Sequence, residues 1–285
     1  MTFSIIATDP STGAVGVCQG TGSIALASRC PHVAGGVAVT SQWHSDWRLG
    51  QRALDLGTTG LAPETIIAAL AATDESFRYR QLGIVLDDGR VAAHTGDVVI
   101  ESQYAGHLVG DGFAVLGNTL IGAGVLEAMA ASYENDTAGL FEERLMRALE
   151  AGLAAGGEGR RHLSSSIITT ARGQRRAHVD LRVDIAPEGL DAISELRRIL
   201  DEYLPFADYY GDHWLDHLRR AWTTGSPASP PSRPLADAEN AHLHGAGRPG
   251  PCRCAPSPPR TGGGYWSLAV ASRAAASTSC ARSWC

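Results

Sequence analysis

Short strand-like runs joined by tight turns alternate with pairs of helices as far as residue 204, and this order limits the folds open to the chain. The runs FSIIATD and AVGVCQG flank the turn PSTG, and a second pair of runs surrounds Asp88-Gly89, a strong hairpin signal. The runs LSSSIITTARG and RAHVDLRVDI form a third pair. Hairpins join antiparallel strands, so the order predicts an α+β fold with antiparallel sheets and helices on their outer faces.

The remaining elements follow from the same signals. One further strand is predicted in each of three runs, VAGGVAVTSQ, VVIESQYAGHLVG and DGFAVLGN. Apolar residues at helical spacing predict helices at WRLGQRALDLG and at APETIIAALAATD, where Pro63 and Glu64 suit a first turn. Three more helices are predicted at GAGVLEAMAASYE, AGLFEERLMRALEAGLAAGG and GLDAISELRRILDEYL.

The composition changes near residue 225. From Gly225 onward the chain is rich in Pro, Gly, Ser and Ala and has almost no apolar periodicity, so this part cannot bury enough surface to offset its ordering entropy. We therefore expect a folded domain at residues 1–224 and a disordered tail at residues 225–285. Four of the six cysteines lie in the tail, which argues against a disulfide framework in the domain.

Charge and composition exclude several classes of function. Residues 1–225 hold 28 of the 30 acidic residues and 18 of the 24 basic ones, and an acidic body argues against nucleic acid as a partner. Lysine is absent, which rules out Schiff-base chemistry and a phosphate-loop lysine. No run reaches the roughly 20 apolar residues of a membrane span, and no secretory signal is apparent. We expect a cytoplasmic protein.

The first strand-like run begins at Thr2, directly after Met1. A threonine hydroxyl is a weak nucleophile without an adjacent base, but an N-terminal threonine has one in its own α-amino group. Removal of Met1, favoured by a small second residue, would make Thr2 N-terminal. The simplest alternative is an ordinary strand residue near the chain start.

Six motifs in order resemble an uncharacterised bacterial and archaeal family that is grouped with the N-terminal nucleophile (Ntn) hydrolases. The motifs are TFSIIATDPSTGAVGV at the start, RQLGIV (80–85), AAHTG (92–96), GNTLIG (117–122), ERLMRALEAGLAAGGE (143–158) and VDLRVD (179–184). The resemblance implies the four-layer αββα sandwich of that superfamily. It also implies an amidohydrolase with Thr2 as nucleophile, acting on a small peptide-like or cell-wall-derived substrate. At RRHLSSSI the chain departs from the family pattern, with Arg161 and Leu163 in place of an Arg-Gly-x-Gln run.

Two further residues are candidates for catalysis. Asn118 lies in GNTLIG, predicted as a strand-to-helix junction, where its amide could donate to an oxyanion; the alternative is a turn or cap residue. His94 ends a hairpin strand, where its ring could face a cleft; the alternative is a histidine hydrogen-bonded to the backbone.

Substrate-binding candidates follow the third predicted strand in TSQWHSDW. In the resembled superfamily this strand ends near the nucleophile, so Gln42, Trp43 and His44 are expected to line the substrate pocket. The alternative for Trp43 is ordinary packing.

Two other functions stay open at this point. The first is a non-catalytic binding or scaffold protein on the same fold. The second is a zinc hydrolase using His213 and His217, four residues apart on a predicted helix, although no distant third ligand is evident. The preferred interpretation needs no cofactor or metal, takes a small-molecule or peptide-like partner, and allows a homo-oligomer.

Overall fold

The structure is a computed structural model that describes residues 1–100 and 103–207. The predicted boundary at residue 225, the tail and the pair His213 and His217 lie outside the described residues. Among those described, no helix combines the length and the apolar character that crossing a membrane requires.

A six-stranded antiparallel sheet contains the first and the last strand of the described chain. Its order is β10-β9-β2-β1-β8-β7, so β1 is an interior strand paired with β2 on one side and β8 on the other. The hairpins predicted for β1/β2 and β9/β10 are confirmed. The strands are β1 Thr2–Asp9, β2 Ala14–Thr21, β7 Tyr104–Gly110, β8 Phe113–Leu120, β9 Ser164–Thr170 and β10 Val179–Val183.

A second antiparallel sheet has the order β3-β4-β5-β6, with strands β3 Pro31–Ala34, β4 Val37–Trp43, β5 Arg80–Leu86 and β6 Val91–Thr95. The hairpin predicted at Asp88-Gly89 joins β5 to β6. The single strand predicted over VAGGVAVTSQ is wrong. The chain turns at Gly35 and Gly36, with φ of +60° and +80°, and forms the β3/β4 hairpin. Glycine adopts such angles without the steric cost of a side chain.

Six helices complete the described part of the chain, besides short 3-10 turns. The five predicted helices are confirmed within a few residues. A sixth, of four residues, occupies part of the segment predicted as a strand at VVIESQYAGHLVG, so that strand begins only at Tyr104. The helices are α1 Trp47–Gly57, α2 Pro63–Ala71, α3 Asp97–Ile100, α4 Gly124–Asn135, α5 Phe141–Ala154 and α6 Ala192–Tyr203.

Three apolar clusters hold the sheets and helices together. The largest lies between the six-stranded sheet and helices α4, α5 and α6, and another lies between the four-stranded sheet and helices α1 and α2. The third lies between the two sheets, where Ile6 and Leu116 of one sheet face Ala38 and Val85 of the other. The mixed α and β class with antiparallel sheets is therefore confirmed. Each sheet has one face against the other sheet and one against helices.

Candidate active site

Thr2 lies at one end of the layer between the sheets. It is the first residue of β1, is 5% exposed, and stands directly opposite Asn118 in β8. Its hydroxyl lies 3.4 Å from Thr21 Oγ1 at the end of β2, and both hydroxyls contact the carbonyl oxygen of Met1. Thr21 Oγ1 also accepts a hydrogen bond from the backbone of Ser23 at 3.2 Å. The ends of three adjacent strands therefore surround the Thr2 hydroxyl.

A buried carboxylate approaches the chain start from the loop after α5. The side chain of Glu158 is fully buried, and its two oxygens accept hydrogen bonds from the backbone of Gly22 at 3.2 and 3.1 Å. Arg160 Nε lies 3.4 Å from Glu158 Oε2. The charges of Glu158 and Arg160 both act on the Met1 α-amino group, so this ion pair lies near the chain start. A carboxylate held in this way supplies negative charge next to the chain terminus.

Burial changes the proton affinity of both groups at the chain start. It lowers the pKa of the Met1 α-amino group, a shift that the negative charge of Glu158 opposes and the positive charge of Arg160 reinforces. Burial also raises the pKa of the Glu158 carboxyl, against the opposing effects of His162 and the chain terminus. A lowered pKa means that the Met1 amine is more often neutral near pH 7.

Three amide side chains, Gln42, Gln81 and Asn118, form a chain of hydrogen bonds that we call the amide chain. Gln81 Oε1 accepts from Gln42 Nε2 at 2.6 Å and from Asn118 Nδ2 at 2.9 Å. All three residues are fully buried. Gln42 and Gln81 belong to the four-stranded sheet and Asn118 to the six-stranded sheet, so the amide chain links the two sheets next to Thr2.

Further polar side chains extend the amide chain. Ser4 donates to Gln42 Oε1 at 2.8 Å, and Thr40 lies within 3.4 Å of the same oxygen. Thr40 also donates to Gln19, and Gln19 donates to Ser166 at 3.2 Å. The layer between the sheets is thus apolar at one end and polar at the other. The polar end comprises Thr2, Ser4, Gln19, Thr21, Thr40, Gln42, Gln81, Asn118 and Ser166.

Some of the buried polar atoms that have no hydrogen-bond partner in the described structure lie at or beside the polar end. They include Asn118 Oδ1, Thr119 Oγ1 and Trp43 Nε1. Thr119 and Trp43 also have φ of +59° and +66°, a conformation that is rare and unfavourable for β-branched and bulky residues. Unpaired buried atoms and unfavourable backbone angles are both costly, and they occur preferentially at functional sites.

The predicted residues fall into two groups. The structure brings Thr2, Asn118 and Gln42 together at the polar end. Asn118 lies within β8 and not at the strand-to-helix junction predicted for it, because β8 continues to Leu120. Trp43 follows Gln42 at the end of β4, and the exposed His44 packs edge-on against it with ring centroids 5.5 Å apart.

His94 is not brought to Thr2. It pairs across β5 and β6 with Leu82, whose side chain belongs to the core between the four-stranded sheet and its helices. The His94 ring stacks on Phe77 with centroids 4.4 Å apart, and burial lowers its pKa. Gln81 and Thr95, the next paired residues, hydrogen-bond on the opposite face of the sheet. The sheet therefore separates His94 from the polar end.

Glu158 and Gln81 are among the residues of the site that sequence analysis did not single out. Both lie inside motifs quoted above for the family resemblance, but neither sequence context marks a buried polar group. The glycine pair Gly156-Gly157 directly before Glu158 is the available signal, since it predicts a sharp change of chain direction there. Within residues 1–100 and 103–207, no group of three or more His, Cys, Asp or Glu side chains is arranged to hold a metal ion.

Comparison with known proteins identifies the family. Residues 2–193 match a family of unknown function, DUF1028. The chain belongs to this family. A crystal structure of another DUF1028 protein, from Silicibacter pomeroyi, is similar with a TM-score of 0.62 and 29% sequence identity, over 74% of this chain and 91% of that one. No curated protein matches this DUF1028 chain.

Proposed function

We propose that the chain is an amidohydrolase of the Ntn type, with Thr2 as its nucleophile after removal of Met1. One observation carries the proposal. Thr2 is the first residue of an interior strand, and its hydroxyl lies among the buried polar groups of the polar end. The arrangement of helices, sheet, sheet and helices supports it, because this is the order of the αββα sandwich expected from the resemblance.

In the proposed reaction the neutral α-amine of Thr2 takes the proton of its own hydroxyl, and Oγ1 attacks the carbonyl carbon of the substrate amide. The C–N bond of the resulting tetrahedral intermediate breaks, and the proton passes from the ammonium to the leaving amine. Water then hydrolyses the ester, which restores the hydroxyl and releases the acid. The substrate class is a small peptide-like or cell-wall-derived amide that enters past Trp43 and His44.

The test uses an electrophilic probe. The protein is expressed without an N-terminal tag, and its intact mass, measured by mass spectrometry, shows whether Met1 has been removed. A β-lactone is expected to label Thr2, Thr2→Ala to abolish labelling, and Thr2→Ser to retain part of it because hydroxyl and amine both survive. Thr8→Ala is the matched control, because Thr8 is a buried threonine of the same strand whose hydroxyl donates to Ala14 O.

Two outcomes contradict the proposal. The first is full retention of Met1, which leaves the α-amine on the wrong residue. The second is labelling that persists in Thr2→Ala or is absent from the Met1-free protein. Either result favours the alternative, a non-catalytic binding or scaffold protein on this fold.

A further inference from the structure

The orientation of the Gln81 amide is determined by its surroundings. Its Nε2 donates to the backbone carbonyls of Gly117 at 2.9 Å and Gly106 at 3.0 Å, and Thr95 Oγ1 lies 3.0 Å away. Carbonyl oxygens are acceptors only, so the nitrogen must face them. Gln81 Oε1 consequently faces Gln42 and Asn118.

This orientation determines that of Asn118. Asn118 Nδ2 donates to Gln81 Oε1 at 2.9 Å, and a flipped Asn118 amide would set two acceptor oxygens against each other. Gln42 Nε2 also donates to Gln81 Oε1, whose two lone pairs can accept from both amides at once. The atom of Asn118 that remains free is therefore its oxygen, an acceptor.

Asn118 Oδ1 is buried and has no partner in the described structure. Directly opposing residues of an antiparallel pair have Cα atoms about 4.5–5.5 Å apart and side chains on the same face. Thr2 is the residue opposite Asn118. When Met1 is removed, the peptide nitrogen of Thr2 becomes an amine with additional N–H donors at this position.

We propose that Asn118 Oδ1 accepts a hydrogen bond from the α-amino group of Thr2, and that Gln81 is the positioning residue that turns this oxygen toward the amine. The proposal rests on the proposed function, because it concerns the amine that serves there as the base. It gives Asn118 a role different from the oxyanion donor predicted from sequence. The hydrogen bond orients the amine so that its lone pair can face the Thr2 hydroxyl.

The test measures the pKa of the α-amine and needs no catalysis. The full chain is produced behind a cleavable fusion that leaves Thr2 as its first residue. Because the sequence contains no lysine, acetic anhydride acylates amines only at this position. The rate of acylation against pH, followed by intact mass, gives the pKa directly. The other charged or titratable groups that face the chain start, Glu158, Arg160, Arg29 and Cys30, are unchanged in every variant.

An acceptor on an ammonium stabilises its charged form, so losing the acceptor lowers the pKa of the amine. Asn118→Ala is expected to lower the pH midpoint of the acylation rate by about 0.5 to 1 pH unit. Gln81→Leu is expected to lower this midpoint by less. Asn118→Asp, which keeps the shape and adds a negative charge, is expected to raise it. Thr8→Ala, at the other end of β1 and outside the polar end, is the control and should leave the midpoint unchanged.

A midpoint that stays at the wild-type value in Asn118→Ala and Gln81→Leu overturns the proposal, and so does a shift of equal size in Thr8→Ala. If a variant does not fold, as judged by circular dichroism, the Asn118→Asp arm still decides: no rise in its midpoint is contrary evidence. Failure of the proposed function is separate, because it shows as absent β-lactone labelling whatever the amine titration gives.

Discussion

His162 Nδ1 lies 2.9 Å from Asp191 Oδ2, and the same carboxylate oxygen accepts the backbone N–H of His162 at 2.9 Å. The other oxygen, Oδ1, accepts from Ile193 N and caps helix α6. His162 itself is fully buried. Asp191 therefore ties the segment that leads into β9 to the first turn of α6.

The first prediction concerns this link. Burial acts to raise the pKa of Asp191, but the hydrogen bonds from His162 and Ile193 outweigh it and the pKa lies below the usual range. A lowered carboxyl pKa gives stability that is present above the unfolded pKa and is lost as pH falls through the folded one. Asp191→Ala is expected to cost on the order of 2 kcal/mol at pH 7, and the difference should shrink in acid. Urea unfolding at pH 7 and at pH 3 to 4 measures both.

The matched control is Asp46→Ala. Asp46 caps α1 by accepting from Arg48 N at 2.9 Å, so its removal is expected to cost about 1 kcal/mol, as a cap usually does. Equal losses at both caps, or a loss at Asp191 that grows in acid, would contradict the special role of the His162 contact.

The second prediction concerns Glu158. A carboxyl whose pKa is raised by folding binds protons more tightly when folded, so its favourable contribution is present in acid and is lost as pH rises through the folded pKa. Glu158→Gln keeps an acceptor for Gly22 and removes this titration. The melting temperature of the variant should therefore rise relative to wild type as pH increases from 5 to 8. Glu127→Gln, at an exposed position in α4, serves as control. Melting temperatures of wild type and of both variants that change equally with pH would refute the interpretation.

The third prediction tests a close backbone approach. A Cβ atom added at Gly96 would lie 2.1 Å from the carbonyl oxygen of Arg78, so one of two backbone segments would have to move. Gly96→Ala is expected to destabilise by at least about 2 kcal/mol. Gly124→Ala, in a helix where added atoms meet nothing within 4 Å, should stabilise by up to about 1 kcal/mol. Denaturant unfolding of the two variants in parallel gives the comparison, and a mild effect at Gly96 would mean the loop adjusts freely.

The fourth prediction concerns the two cysteines of the described region. Burial raises the pKa of the Cys30 thiol to about 11, and it also raises that of Cys18 well above its usual range. Because the thiolate is the reactive form, neither should react with iodoacetamide at pH 8 in the native protein, and both should react in urea. Trypsin separates them into residues 1–29 and 30–48, so mass spectrometry reads each independently. Rapid native alkylation of Cys30 would show that the chain start is open to solvent.

Local signals in the sequence predicted most elements of the fold. The β1/β2 hairpin and helix α2, with Pro63 in its first turn, follow from turn chemistry and periodicity, which depend only on near neighbours. The β3/β4 hairpin was missed although Gly35-Gly36 is a hairpin signal, because the apolar run on both sides was interpreted as continuous. The strand predicted through Val98 was wrong because β-branched residues favour strands only where a partner strand is available.

The site was less predictable than the fold. Thr2 and Asn118 were named from chain position and resemblance, and their pairing depends on the contact between β1 and β8, which are more than 100 residues apart. Gln81 lies in RQLGIVL, a run buried on both faces that has no alternation to mark a polar position. His94 and Thr95 are adjacent in sequence, yet they face opposite sides of one sheet. Which face is buried against which layer is a property of tertiary packing.

The amide chain also has a consequence for how the two sheets align. The apolar layer between them consists of aliphatic side chains, which tolerate sliding because dispersion forces have little directional preference. The hydrogen bond from Asn118 to Gln81 crosses from one sheet to the other and keeps its length and angle at only one relative offset, so it favours a single stacking of the sheets. A version of the protein with leucine at all three positions would keep a buried interface while losing its alignment. Uniqueness of stacking, and not only cohesion, is what these amides contribute.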